Sequence, residues 1–160
     1  MYKENADNQI ELDDFYLPFG GHLDSNNRWI ILSQMVPWDK LEREYKKKLG
    51  SSNLGAPAKS FRMALGALII KEKLQISDRE VVEQIRENHY LQYFLGMEGY
   101  RDEEPFDPSM MVHFRKRLDG EIMSRANEIL FRDFRERARK KKRKERKQLK
   151  KQIARETKGS

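Results

Sequence analysis

"FRMALGALIIKEKLQISDREVVEQIREN", residues 61–88, decides the fold. Its first half is apolar on nearly every side of a helix. A helix of that kind belongs in the middle of a bundle. Gly66 within it leaves room for a close backbone approach. The second half opens on Ser77, followed three residues later by Glu80, a capping box that marks a helix start. Val81, Val82 and Ile85 then fall on one side, and Arg79, Glu83, Arg86 and Glu87 on the other. Two helices joined by the short turn "LQIS" have the spacing of a helix-turn-helix. No stretch of the chain alternates with a convincing period of two, and there is no internal repeat. The predicted class is all-α: a compact multi-helix bundle containing a helix-turn-helix-like unit, with a basic C-terminal helical or disordered arm.

Working outward, "RWIILSQM" (28–35) follows the capping residues Asn26 and Asn27 and stops before Pro37. "WDKLEREYKKKL" (38–49) places Leu41, Tyr45 and Leu49 at spacing four, with Glu42–Lys46 and Glu44–Lys48 as expected surface pairs and Gly50 as a stop. "SSNLGAPAKS" reads as a loop. "YLQYFLGM" (90–97) is an aromatic turn ended by Gly96, and "EGYRDEEPF" is a second loop. In "DPSMMVHFRKRL" (107–118), Asp107 can cap the first turn and Pro108 suits the first helical position. Met110, Met111, Phe114 and Leu118 share one side. Ser109, Val112, His113 and Lys116 share the other, with Arg115 and Arg117 on the flanks. From Glu121 the pattern is helical again, with Ile122, Ala126, Ile129, Leu130 and Phe134 inward. The expected core is Phe61, Leu65, Leu68, Ile69, Val82, Ile85, Phe94, Phe114 and Leu118.

Charge divides the chain. From Arg135 to Ser160 there are 14 Lys+Arg against 3 Asp+Glu, whereas the remaining 134 residues carry 19 against 23. The net charge of +7 is therefore a property of the tail, and the body could bind a polyanion only through a local patch. The expected organisation is a mobile lead-in over 1–27, a helical DNA-binding domain over 28–134 and a basic tail over 135–160. The absence of cysteine excludes disulfides and thiolate metal sites. No apolar run has the length of a membrane span and the acidic N-terminus does not read as a signal peptide, so the expected location is cytoplasmic.

Catalytic patterns are missing. His22, His89 and His113 are far apart, the Asp13–Asp14 and Asp102–Glu103–Glu104 clusters read as solvated loop carboxylates, and "PFGG" is too generic for a phosphate loop. The face of 107–118 is more informative. A hydroxyl, a methyl-bearing residue, an imidazole and an ammonium, flanked by two guanidiniums, can meet major-groove edges and phosphates together. An ordinary solvated helix end with cations matching its dipole gives the same pattern. Ser109, His113 and Lys116 are the candidate base readers. Arg115 and Arg117 are phosphate candidates, and Arg79 and Arg86 are secondary ones because carboxylates lie beside them. In the tail, Lys140, Lys141, Lys142 and Arg143 are candidates for contacts through phosphate charge alone.

The order of these motifs resembles a known family. "GAPAKSFRMALGALIIKEKLQISDREVVEQIRENHYLQYFLG" followed by "PFDPSMMVHFRKRL" is similar to the N-terminal domain of bacterial insertion-sequence transposases of the DDE class, over about residues 28 to 132. "LQISDREVVEQIREN", "YFLG" and "FDPSMMVHFRKRL" carry the resemblance because they occur together and in order. It implies an all-helical module that recognises the inverted repeats at an element's ends in double-stranded DNA. In the family this module is joined to an RNase H-like domain whose three carboxylates hold two divalent metals. No strand bearing a first catalytic aspartate is found here, and Asp133 in "FRDFRER" sits on a helical pattern. The expectation is thus a chain with no catalytic residues, metal site, cofactor or small-molecule substrate, nucleoid-associated when bound to DNA. The other expectation is a regulatory module that contacts a full-length transposase or itself.

Overall fold

The computed structural model describes residues 10–49, 59–118 and 120–156. Among these residues seven α-helices follow one another: α1 (Arg28–Met35), α2 (Trp38–Leu49), α3 (Phe61–Leu74), α4 (Asp78–Glu87), α5 (His89–Phe94), α6 (Met110–Arg117) and α7 (Gly120–Glu156), preceded by a short 3-10 turn at Leu12–Asp14. Among the described residues there is no strand, only an isolated parallel bridge between Tyr16 and Gly99. The all-α reading is correct. Gly50 and the loop at 51–58 lie outside the described residues.

The helix starts follow from their caps. The Asn27 side chain accepts from the Trp29 N–H, that of Ser60 from Met63, that of Ser77 from Glu80, and that of Asn88 from Tyr90 and Leu91. Between α3 and α4 lie only three residues. Gln75 turns the chain there in the left-handed region, at φ 54° and ψ 46°. Its side-chain amide donates to the Glu72 carbonyl at 2.6 Å, satisfying one of the exposed helix-end acceptors.

Helix α3 runs through the centre, as its composition requires. Ala64, Ala67 and Ile70 are sealed, and Phe61 and Leu65 nearly so. Gly66 meets the end of α5 closely: a Cβ there would collide with a Leu95 methyl. Val82, Ile85, Phe94, Phe114 and Leu118 are buried as expected. Leu68 and Ile69 are not. They sit on the flank of α3 and pack against the core only in part, because the buried arc turns through Ala64, Ala67 and Ile70 instead. Truncating Ile70 to alanine should therefore cost about 2–5 kcal/mol, and truncating Leu68 distinctly less, measured by urea unfolding. From α7, Ala126 and Ile129 enter the core while Ile122 is half-buried. The Leu130 and Phe134 side chains lie outside the described residues.

Two further differences from the sequence reading concern Glu42 and the lead-in. Glu42, expected in a surface pair, is 1% exposed, and Arg62 is 2% exposed. The Arg62 guanidinium donates to the carbonyls of Phe94 (2.9 Å) and Tyr93 (3.0 Å) and to the Ser33 hydroxyl (2.9 Å), and it lies 4.9 Å from the Trp38 ring centre. Burial pushes its pKa down to about 10, while Tyr93, Glu42 and Asp39 oppose that shift. The second difference is in the lead-in, expected to be mobile over 1–27: residues 1–9 lie outside the described residues, and from Ile10 onward the segment is docked. Phe15 and Leu23 bury against Ile30 and Tyr93 in a second small core, and the Tyr93 hydroxyl donates to the Ile10 carbonyl at 2.8 Å.

Candidate nucleic-acid interface

Helix α6 begins in a turn. The Asp107 carboxylate accepts from the Ser109 N–H at 2.8 Å, and the Asp107 carbonyl from Met110 at 2.8 Å. The Ser109 hydroxyl also bonds this carboxylate, and the two bonds hold its pKa below the ordinary aspartate value. Asp107 thus caps the first turn, but the regular helix starts three residues later, at Met110. Met111 and Phe114 are sealed, Leu118 is buried, and Phe106 stacks edge-on against Phe114 at 5.0 Å. The opposite side, with Val112, His113 and Lys116, is exposed. The periodicity therefore separated the two faces correctly.

The candidate cations differ in what they touch. Arg115 forks onto Asp78 at the start of α4, with bonds of 2.9 and 2.8 Å, and Lys71 reaches the same carboxylate at 2.7 Å. This ties α3, α4 and α6 together. Those bonds, Arg115's above all, hold the Asp78 pKa down at about 2, and the Arg115 pKa is raised in turn. Arg86 donates to Asp102 at 2.8 Å with Glu83 nearby at 3.7 Å, which raises its pKa. Arg117 is half-buried, its guanidinium 3.4 Å from the Lys59 carbonyl. Arg79, His113 and Lys116 have no ion-pair partner among the described residues. Sequence reasoning could not find the Asp78–Arg115 fork, because its partners are 37 positions apart.

The fork makes a pH prediction. The folded-state pKa of Asp78 is depressed, so its contribution is present above the ordinary aspartate value of 3.8 and is lost as pH falls through that value toward 2. Both groups are partly solvated, so the pair is worth about 1 kcal/mol or less. Asp78→Asn should shift the urea midpoint down at pH 6, and the gap to the parent should close by pH 2.

Helix α7 carries the tail. Its root is fixed by Ala126 and Ile129, by Arg125 near Glu44 (3.7 Å) and by the Arg137 guanidinium, which donates to the Gln34 carbonyl at 2.8 Å. Beyond Arg137 every described side chain is exposed. Lys140, Lys141, Lys142 and Arg143 are consecutive, so at 100° per residue they point to all sides of the helix rather than to one. Lys140, Lys144, Lys147 and Lys151, at spacings four, three and four, form a continuous stripe.

Among the described residues no group of three or more His, Asp or Glu could hold a metal ion, and no helix is long and apolar enough to cross a membrane. Residues 18–117 match the transposase domain (DUF772) family, which is well over half of the chain, and the chain belongs to that family. It is also 34% identical over 89 residues to the uncharacterized protein ORF8 in the nfe locus of Rhizobium meliloti. That match covers 56% of this chain and 42% of the relative, so the chain spans less than half of that protein. No solved structure matches significantly.

Proposed function

We propose that the chain is the DNA-binding module of a transposase. In this reading it recognises the ends of an insertion element and has no strand-transfer chemistry, metal or cofactor of its own. The observation that carries this is the two-sided character of α6. Met111, Phe114 and Leu118 lock one side into the core, while His113 and Lys116 stand unpaired on the other. A rigidly seated helix with an open polar face is what a major groove accepts. The α3–turn–α4 unit acts in this reading as the helix-turn-helix support for α6. Arg115 and Arg86, already held by carboxylates, position the helices; Arg117 and Arg79 meet phosphate. Ser109, whose hydroxyl is bound to Asp107, serves the cap before it serves a base. The location that follows is cytoplasmic, on the nucleoid.

Binding to an element-end duplex and to a scrambled duplex, at near-physiological salt, tests the reading. Lys116→Ala should narrow the difference between them by about 1–3 kcal/mol if it makes one good base contact. Full discrimination by Lys116→Ala and His113→Ala, together with its loss in Arg79→Ala and Arg86→Ala, would move the reading role to α4. Absence of any preference in the parent chain would favour a second reading, a regulatory module that binds full-length transposase or itself. The loop carboxylates Asp102, Glu103 and Glu104, all exposed, favour that reading because they would repel a duplex.

A further inference from the structure

The turn at Leu17–Gly20 presents Phe19 with 97% of its surface exposed. Both feet of this turn are anchored. On one side Phe15 is buried edge-on against Tyr93 at 5.7 Å, and Tyr16 bonds both ways with the other chain segment, its N–H to the Glu98 carbonyl and its carbonyl from the Tyr100 N–H. On the other side Leu23 is buried. The Gly20 N–H closes the turn on the Leu17 carbonyl at 3.1 Å, and Gly20 and Gly21 take φ of 72° and 94°, which favour glycine. The chain thus holds an aromatic side chain in a fixed outward position and gives it no burial.

A matching hollow exists elsewhere on the molecule. Between α1 and the end of α3 lies a groove of about 260 Å³ lined by Arg28, Trp29, Ile31, Leu32, Met35 and Lys73. Ile31 and Met35 on its wall are 44% and 40% exposed. We propose that the Phe19 turn of one copy of this chain docks into this groove of a second copy. The charges match. Between Ile10 and Asn27 there are four carboxylates (Glu11, Asp13, Asp14, Asp24) and no lysine or arginine. The groove carries Arg28, stacked 5.4 Å over the Trp29 ring, and Lys73, neither with an ion-pair partner among the described residues. The contact forms between copies because the turn's feet are fixed on the Ile30 side of α1, whereas the groove opens on the Ile31–Met35 side. Reciprocal docking closes a two-fold pair; unreciprocated docking links copies head to tail. The inference does not depend on the DNA-binding reading.

The chain has no cysteine, which makes disulfide trapping clean. Pro18→Cys, which leaves Phe19 in place, and Met35→Cys are made in separate full-length chains, mixed without DNA and oxidised with diamide. The mixture is expected to give covalent dimer on the order of tenfold above a mixture of Pro18→Cys with Val112→Cys, since a bridge needs Cα atoms within about 7 Å. Lys73→Glu, added to the Met35→Cys chain, should cut that yield several-fold. No excess over the Val112 mixture overturns the proposal, as does a yield indifferent to Lys73→Glu. If Pro18→Cys and Met35→Cys placed in one chain close within that chain, docking is internal and the proposal is also overturned. Helical far-ultraviolet spectra check each variant. A measurement without cysteines is sedimentation at high protein concentration, where Phe19→Ser should lower the average mass; an unchanged mass in a parent that self-associates counts against the groove.

Discussion

Arg62→Ala should cost about 3–5 kcal/mol of folding stability, because it removes a buried guanidinium together with its three hydrogen bonds and its contact with the Trp38 ring. Arg62 satisfies two α5 carbonyls and the Ser33 hydroxyl, so α1, α3 and α5 are joined through one side chain. Truncation takes a donor from the Phe94 carbonyl and from the Ser33 hydroxyl, while the Tyr93 carbonyl keeps the Gly96 N–H at 2.9 Å, and it removes a positive charge that the buried Glu42 faces. Arg62→Lys should recover only part of the loss. An ammonium is a point donor and cannot reach the positions that Nε and Nη2 occupy together. The cleaner test is a double-mutant cycle by urea unfolding: Arg62→Met combined with Glu42→Gln should be less destabilised than the sum of the two single changes. Strict additivity would show that the two charges do not depend on each other.

The same cluster explains one glycine. Gly96 has φ 78°, and a Cβ there would lie 2.9 Å from the Arg62 side chain. The sequence marks Gly96 as the end of an aromatic turn, which it is, but gives no sign that an arginine passes beside it. A charged residue inside an apolar helix ordinarily takes the exposed position of that helix. The reading fails where the helix is covered on nearly all sides, since no solvent face remains for Arg62 to occupy. Its burial was inferable from that fact alone; its partners were not.

Elements whose information is local were legible. The capping box at Ser77–Glu80, the cap at Asp107 and the 3.6-residue pattern of α6 gave helix positions and separated inward from outward faces. The α6 start was misplaced by two residues, at Pro108 instead of Met110, because Asp107 closes a turn before the regular helix begins. Pairings that depend on the fold were not legible. Gln92 is fully buried: its amide donates to the carbonyls of Ile85, Arg86 and Arg101, and its side-chain oxygen accepts from the Arg101 N–H. It thereby fixes the approach to α6. Nothing in "YLQYFLG" distinguishes that glutamine from a surface one. The lead-in was hidden for a related reason. Phe15 and Leu23 are held by an irregular chain path, which leaves no period to detect.

The basic arm carries the second large effect. Replacing Lys140, Lys144, Lys147 and Lys151 with glutamine should flatten the salt dependence of DNA binding by about 3 to 4 in the slope of log K against log salt, since each lost phosphate contact removes about 0.9. Sequence preference should stay intact, because phosphate contacts carry no base information. A second quartet, Lys140, Lys141, Lys142 and Arg143, removes the same charge but spreads it round the helix. If the arm binds as the helix of the structure, only one or two of these four can face a duplex at once, and the slope should fall by about half as much. If the two quartets lower the slope equally, the arm is not helical when it binds. The free arm also works against its own helix: Arg139–Arg143, Lys140–Lys144, Lys142–Arg146, Arg143–Lys147, Arg146–Lys150 and Lys147–Lys151 place like charges four apart, each costing about 0.2–0.5 kcal/mol. Phosphates would relieve that repulsion. Adding a duplex should therefore increase the helical signal of the parent chain, and the stripe quartet should show a smaller increase, having lost both the repulsion and the contacts.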